Sequence, residues 1–351
     1  MSLNWPVCDN ILLIGAGFSK NFGGLLASEM WSEVFNHPDV RRFPQLVRQL
    51  DESWPDYETV YERVVLAAQD SAEASALHRG VLDAYDKHDR KLRDPEGPIG
   101  WIDCDRLGEM LQAFAPSRGS GMVGFVFSLN QDLFPERHAW GRLHFGTPTL
   151  PGFGALPGRY GPYLEGGDGA SLTKADLHRA PTSEEIGHQA ERWITQGNLH
   201  WIKLHGSQNW RDSAGRDLMV IGGGKDTQIQ QEPILRWYWE LFKRTLFEAR
   251  HRLVVIGYSF RDPHVNEAIV HAIQTVGVDL VVVDAIPWGD FRGQRRDGCY
   301  WGDLASHIAS DAGSRYLSKN LADYFPHSSH DTRGVDWQEF RRLLLSPLSS
   351  S

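Results

Sequence analysis

The sequence predicts an α/β fold, a parallel sheet with helices on both faces, and three observations carry that prediction. Five short runs have the length and composition of buried strands: Ile11 to Ile14, Val123 to Leu129, Asn198 to Leu204, Arg252 to Ile256 and Val278 to Val283. Stretches of helical periodicity separate them, which is the alternation that builds a parallel sheet. Each run also ends in glycine or a polar group at its carboxyl side: Gly15-Ala16-Gly17, Asn130-Gln131-Asp132, His205-Gly206, Gly257-Tyr258-Ser259 and Asp284. The ligand crevice of an open α/β sheet lies outside those ends, so the fold expected is Rossmann-like with a nucleotide-type site.

The first unit, Asp9 to Asn36, reads as strand, glycine turn and helix. Gly15 and Gly17 carry no Cβ, so the spacing predicts backbone amides close to a diphosphate. The usual dinucleotide fingerprint has a third glycine where this chain has Lys20, and GxG alone is equally compatible with any tight turn between strand and helix. From about residue 38 to 118 the chain is polar with apolar residues at helical spacing, as in Tyr57, Val60, Tyr61 and Val64, which predicts an inserted helical subdomain. A glycine- and proline-rich tract at about 146–170 predicts a long loop. Strong helical periodicity returns over 234–250 and again over 264–276. Residues 1–290 therefore read as one α/β domain, and 291–351 as a mainly helical extension of unknown role.

Composition excludes several classes. The 351 residues are 41% apolar, enough for a real core, and carry a net charge of −9 with no long basic run, so an extended nucleic-acid footprint is not expected. Cys8, Cys104 and Cys299 are far apart and form no CxxC pair, which argues against a zinc ribbon, against any bound metal and against a disulfide framework. The start MSLNWPVCDN has no signal-like pattern, and no eighteen consecutive apolar residues occur, so a cytoplasmic protein without membrane contact is expected.

Four motifs occur in one order: GAGFS at Gly15 to Ser19, SLNQD at Ser128 to Asp132, LHGS at Leu204 to Ser207 and IGYSFRDPHVNEAI at Ile256 to Ile269. In order and form they resemble the sirtuin-like proteins, and the prokaryotic branch of NAD-cleaving enzymes of anti-phage defence most of all. The segment Ile221 to Leu235 resembles that branch as well. The resemblance implies NAD as substrate. It implies that Gly15, Ala16, Gly17, Phe18 and Ser19 hold the diphosphate, that Gly257 and Ser259 contact ribose or phosphate, and that Asp284 accepts from the adenosine ribose. It places Asn130 and Asp132 beside the nicotinamide riboside and makes His205 the general base. Two departures stand out: Asn21 to Leu25 replaces the usual Pro-Asp-Phe-Arg segment, and the four zinc cysteines of the deacylases are missing.

What the resemblance implies is an NAD⁺ glycohydrolase that releases nicotinamide and ADP-ribose as the effector of an abortive-infection system. A homo-oligomer is implied, with a separate activator such as a hexameric motor ATPase or a short Argonaute-type protein. An NAD-dependent protein deacylase and a non-catalytic NAD- or ADP-ribose-binding module are the alternatives. Structural readings stand beside the functional ones: Asn130 and Asp132 as turn residues, His205 as a loop anchor, and His264 and Asn266 as part of a helix start capped by Asp262 and Pro263. Lys225 follows three glycines without Walker spacing and reads as a mobile-loop residue, and Trp237 and Trp239 read as packing.

Overall fold

The computed structural model describes residues 6–66, 71–92, 104–116, 120–135, 178–212, 214–248, 251–293, 301–319, 321–324, 335–346 and 348. The tract at 146–170 lies outside them. Six strands form an all-parallel sheet: β1 (Val7–Ile14), β2 (Val123–Ser128), β4 (Leu199–Lys203), β7 (Arg252–Ile256), β8 (Asp279–Asp284) and β9 (Arg315–Ser318). Their spatial order is β4-β2-β1-β7-β8-β9. Counted along the chain this is 3-2-1-4-5-6, the Rossmann order, whose chain reversal falls between β1 and β7. A second sheet pairs β3 (His178–Arg179), β5 (Gly206–Arg211) and β6 (Asp217–Met219).

The central strands are continuous apolar runs because both faces are covered. In β1, Ile11 and Leu13 enter one core and Leu12 and Ile14 the other. The first core is closed by α8 (Ser183–Thr195), α10 (Pro233–Phe247), α11 (Pro263–Val276) and α13 (Trp301–Ser310), through Trp193, Phe242, Ile269 and Leu304 among others. The second is closed by α1 (Ala16–Lys20), α7 (Cys104–Gln112), α14 (Leu321–Tyr324) and α15 (Val335–Leu345). Trp239 belongs to the first core and Trp237 packs against it, as the sequence suggested.

The predicted insertion is helical and builds a third core of its own. It comprises α2 (Ala27–Phe35), α3 (Pro38–Arg41), α4 (Pro44–Glu52), α5 (Tyr57–Tyr61), a π-helical turn at Glu62–Leu66 and α6 (Ala72–Leu92). Met30, Val34, Leu46, Leu50, Val60, Leu77 and Val81 fill it, and Ile221 reaches in from beyond β6. The remaining helices are α9 (Lys225–Gln231) and α12 (Trp288–Gly293).

Beyond residue 290 the chain adds β9 to the edge of the sheet. There Tyr316 and Ser318 hydroxyls both donate to the Ile286 carbonyl, 2.7 and 3.2 Å away. At the other side of the sheet, Asn10 Nδ2 donates to Leu344 O at 2.7 Å and fixes the end of α15. Among the described residues, no helix is long and apolar enough to cross a membrane.

Candidate active site

A cleft of about 1370 Å³ opens outside the carboxyl ends of the sheet strands, larger than the roughly 300–1,000 Å³ of ordinary small-ligand pockets. Gly15, Ala16, Gly17, Asn130, Asp132, His205, Gly257, Ser259 and Asp284, contributed by all five predicted strand ends, line it together. Phe18 and Ser19 do not. Phe18 is fully buried against Phe22, Phe134 and Trp201, so it holds the turn from behind.

The glycine turn differs in cause from the expectation. The Gly15 amide donates to Ile256 O at 3.1 Å, the Gly17 amide to Gly257 O at 2.8 Å and the Phe18 amide to Gly15 O at 2.9 Å. These amides are already paired, so they are not the ones a diphosphate would meet. What requires glycine is the neighbouring loop: a Cβ on Gly15 would lie 2.7 Å from Tyr258 Cα, and one on Gly17 would lie 2.7 Å from Gly257 Cα. Gly257 itself has φ +61 and its amide donates to Val283 O at 3.0 Å. The turns after β1 and β7 are thus locked edge to edge and tied to the end of β8, and together they form one side of the cleft.

Asn130 is bonded to that turn. Its Nδ2 donates to Gly15 O and to Ser19 Oγ, each at 2.9 Å. With both amide hydrogens used, Oδ1 is the group left to accept from a water or a hydroxyl in the cleft. Ser19 Oγ in turn donates to Asp132 Oδ2 at 2.6 Å. Asp132 is 3% exposed; its Oδ1 accepts from the Phe134 amide at 3.0 Å, and its carbonyl accepts from Lys203 Nζ. It therefore sits behind Asn130 and orients it through Ser19.

His88, from α6 of the insertion, closes this chain. The Leu25 amide donates to His88 Nδ1 at 2.9 Å, so the ring proton of the neutral form sits on Nε2, which faces Asp132 Oδ2 at an ion-pair distance of 3.6 Å. Burial alone would raise the Asp132 carboxyl. His88, Lys203 and the Ser19 hydroxyl outweigh it and hold the group below the usual carboxylate range.

His205 is 2% exposed, and its Nε2 lies 3.4 Å from Nε2 of His264. Burial pushes His205 down to about 3; Asp262 and a backbone hydrogen bond with Leu129 oppose the shift, while Lys225 and His264 add to it. At neutral pH it is an uncharged acceptor. The loop bearing it is held by Gln131, whose Nε2 donates to Val220 O at 2.6 Å and His205 O at 3.2 Å; Gln131 Oε1 accepts from Tyr85 of the insertion.

Three residues read as structural have different fates. Asn266 is structural: its side chain accepts from the Tyr258 hydroxyl at 3.0 Å and donates to Phe260 O at 2.9 Å. His264 instead lines the cleft beside His205. Asp262 occupies the N-cap of α11 and Pro263 its first turn, yet the Asp262 carboxylate makes no capping bond and pairs with Lys225 at 2.9 Å. Lys225 is accordingly no mobile-loop residue. Asp284 Oδ1 accepts from the Ile286 amide at 3.0 Å, so one side of that carboxylate caps the turn after β8.

Residues 170–286 match a family model described as a SIR2-like domain, which spans 117 of the 351 residues and includes His205, Gly257, Ser259 and Asp284. No curated protein matches the chain. A SIR2-like domain fits an NAD-linked activity. Among the described residues no group of three or more His, Cys, Asp or Glu is arranged to hold a metal ion.

Proposed function

We propose that this chain is an NAD⁺ glycohydrolase of the sirtuin-like group, releasing nicotinamide and ADP-ribose. The observation that carries the reading is that Asn130 and the buried His205 line one cleft with the glycine turn at the Rossmann chain reversal. In this reading the adenosine lies toward Asp284, the diphosphate toward Gly15 to Gly17 and Ser259, and the nicotinamide riboside toward Asn130 and His205.

The chemistry needs little acid catalysis. The nicotinamide ring is already a cationic pyridinium and leaves the ribose C1′ as a neutral pyridine with the bonding pair, and the transition state resembles an oxocarbenium ion. Asn130 Oδ1 then orients the water that attacks the ribose C1′ carbon, and neutral His205 accepts a hydrogen bond from that water or a ribose hydroxyl. The proton released passes to solvent, because His205 holds a proton too weakly to keep it. Positioning supplies most of the rate in such a site.

The missing zinc cysteines favour hydrolysis over protein deacylation. A second reading, nucleotide binding without turnover, is favoured by the deep burial of His205, which makes it a poor base in the ligand-free protein. The defence role, a homo-oligomeric state and a separate activating partner extend the proposal on the motif resemblance alone. Incubation of the purified chain with NAD⁺, with and without host lysate as activator, tests the enzymatic reading. Release of nicotinamide that depends on Asn130 supports it, and tight binding with no release under either condition replaces it with the second reading.

A further inference from the structure

The segment Gly222-Gly223-Gly224-Lys225 is the motif that the functional reading leaves unused. It is rigidly placed. Gly222 and Gly224 have φ +94 and +61, values that favour glycine. The Gly223 amide donates to Glu62 Oε2 of the insertion at 3.1 Å, and Gln228 Nε2 reaches back to Gly223 O at 3.0 Å. This geometry delivers Lys225, at the first position of α9, into the cleft wall with its side chain only 18% exposed.

There its ammonium meets Glu58 of α5 at 3.0 Å and Asp262, which precedes α11, at 2.9 Å. Three separate parts of the chain meet at this cation: the insertion, the α9 turn that bears it and the start of α11, which carries His264. Burial would weaken the ammonium, but Glu58 and Asp262 outweigh it and raise its proton affinity; Asp262, which burial would raise, is lowered to about 2, chiefly by Lys225. Lys225 and Asp262 both stay charged throughout the neutral range.

We propose that Lys225 is a positioning residue of this site: by bridging Glu58 and Asp262 it docks the helical insertion onto the start of α11, beside the His205–His264 pair. Its catalytic consequence rests on the NAD-cleaving reading; its structural and electrostatic content does not.

Charges of both signs surround the two rings. His205 faces Asp262, Lys225 and His264, with a backbone bond to Leu129. His264 faces Asp262, Lys225, Asp226, Glu267 and His205. Apart from the two rings, Lys225 is the cation of this set, and the carboxylates favour imidazolium. Removing it exposes both rings to Asp262 without compensation, so proton binding becomes easier and the titration midpoints rise.

The test uses ligand-free full-length protein. Histidine ring resonances are followed by NMR against pH, assigned with His205→Gln and His264→Gln, and amide exchange is followed across residues 57–66. Lys225→Met is expected to raise the midpoint of at least one ring by about 1 unit and to speed exchange in that segment, and Lys225→Arg to retain both properties. Glu58→Gln, which keeps the cation and removes a remote carboxylate, is expected to speed exchange without raising either midpoint. Unchanged midpoints in Lys225→Met, or a rise in Glu58→Gln, overturn the proposal. Should Lys225→Met fail to fold, Glu58→Gln carries the test, and unchanged exchange there overturns it. A chain that shows these shifts yet never consumes NAD⁺ overturns the enzymatic reading alone.

Discussion

Asn130 Nδ2 stands 2.9 Å from the carbonyl oxygen of Gly15, so the end of β2 is bonded directly to the turn that leaves β1. The same amide reaches Ser19, and Ser19 reaches Asp132. One side chain thereby joins the expected phosphate end of the cleft to its expected ribose end, and part of its orientation is set by Ser19, which does not line the cleft.

Asn130→Ala is predicted to lower kcat for NAD⁺ cleavage about 100- to 1,000-fold, the loss seen when one positioned polar group is removed from a preorganised site. NAD⁺ affinity should change much less, because the turn and Asp284 remain. Steady-state kinetics beside calorimetric titration with NAD⁺ separates the two. A parallel loss of affinity would reassign Asn130 to binding.

Ser19→Ala leaves the cleft surface unaltered and removes the link between Asn130 and Asp132. A fall in kcat of about tenfold is expected, since Asn130 keeps its bond to Gly15 but loses half of its restraint. Asp132→Asn should act on the fold as well. Breaking a buried charged contact costs about 3–5 kcal/mol, and urea unfolding at pH 7 reads it. The depressed Asp132 carboxyl contributes stability above its unfolded pKa of about 3.9 and loses it as pH falls through its lower folded value, so the cost of Asp132→Asn should shrink in strong acid.

His205 acts on acid stability in the same direction as Asp132, over a higher pH range. Its pKa is about 3 folded and about 6.5 unfolded, so between those values the unfolded chain binds more protons and stability falls as pH drops. From pH 7 to pH 5 this one group costs about 2 kcal/mol. Buried His200, lowered to about 4, contributes in the same direction. His205→Asn should therefore flatten the decline of the urea midpoint between pH 7 and 5, whatever it does to the midpoint at pH 7. An unchanged slope would mean that His205 is accessible to protons in the folded protein.

Gly17→Ala tests why the turn is glycine. The added methyl would lie 2.7 Å from Gly257 Cα, a backbone atom that cannot rotate away. Overpacking of this kind costs about 1–3 kcal/mol, so urea unfolding of the ligand-free variant should show it. A variant that keeps full stability and loses only NAD⁺ binding would return the glycine to a purely ligand-facing role.

The five core strands were legible because each is buried on both faces and so reads as an uninterrupted apolar run. The strands that escaped are those for which this signal fails. β9 is an edge strand, exposed at Arg315 and Ser318, and β5 buries the polar sequence GSQNW. That the candidate residues at strand ends would share one cleft was legible for the same topological reason, since the fold gathers those ends in one place. His88 and Glu58 were not, because nothing in a helix sequence says that one residue faces a carboxylate at the end of β2 and the other a lysine beyond β6. Lys225 misled for a related cause: three glycines read as mobility when no partner for the loop is visible, whereas Glu62 and Glu58 hold it in place.

In the proposed reaction this cleft breaks the bond between nicotinamide and ribose, and Asn130 and His205 are the groups that do it. Mass analysis of NAD⁺ incubated with the wild-type chain, Asn130→Ala and His205→Ala, each with the same activating fraction, is the decisive measurement. Nicotinamide and linear ADP-ribose are expected from wild type, and at least a hundredfold less from either variant. Equal consumption by all three proteins would refute the assignment.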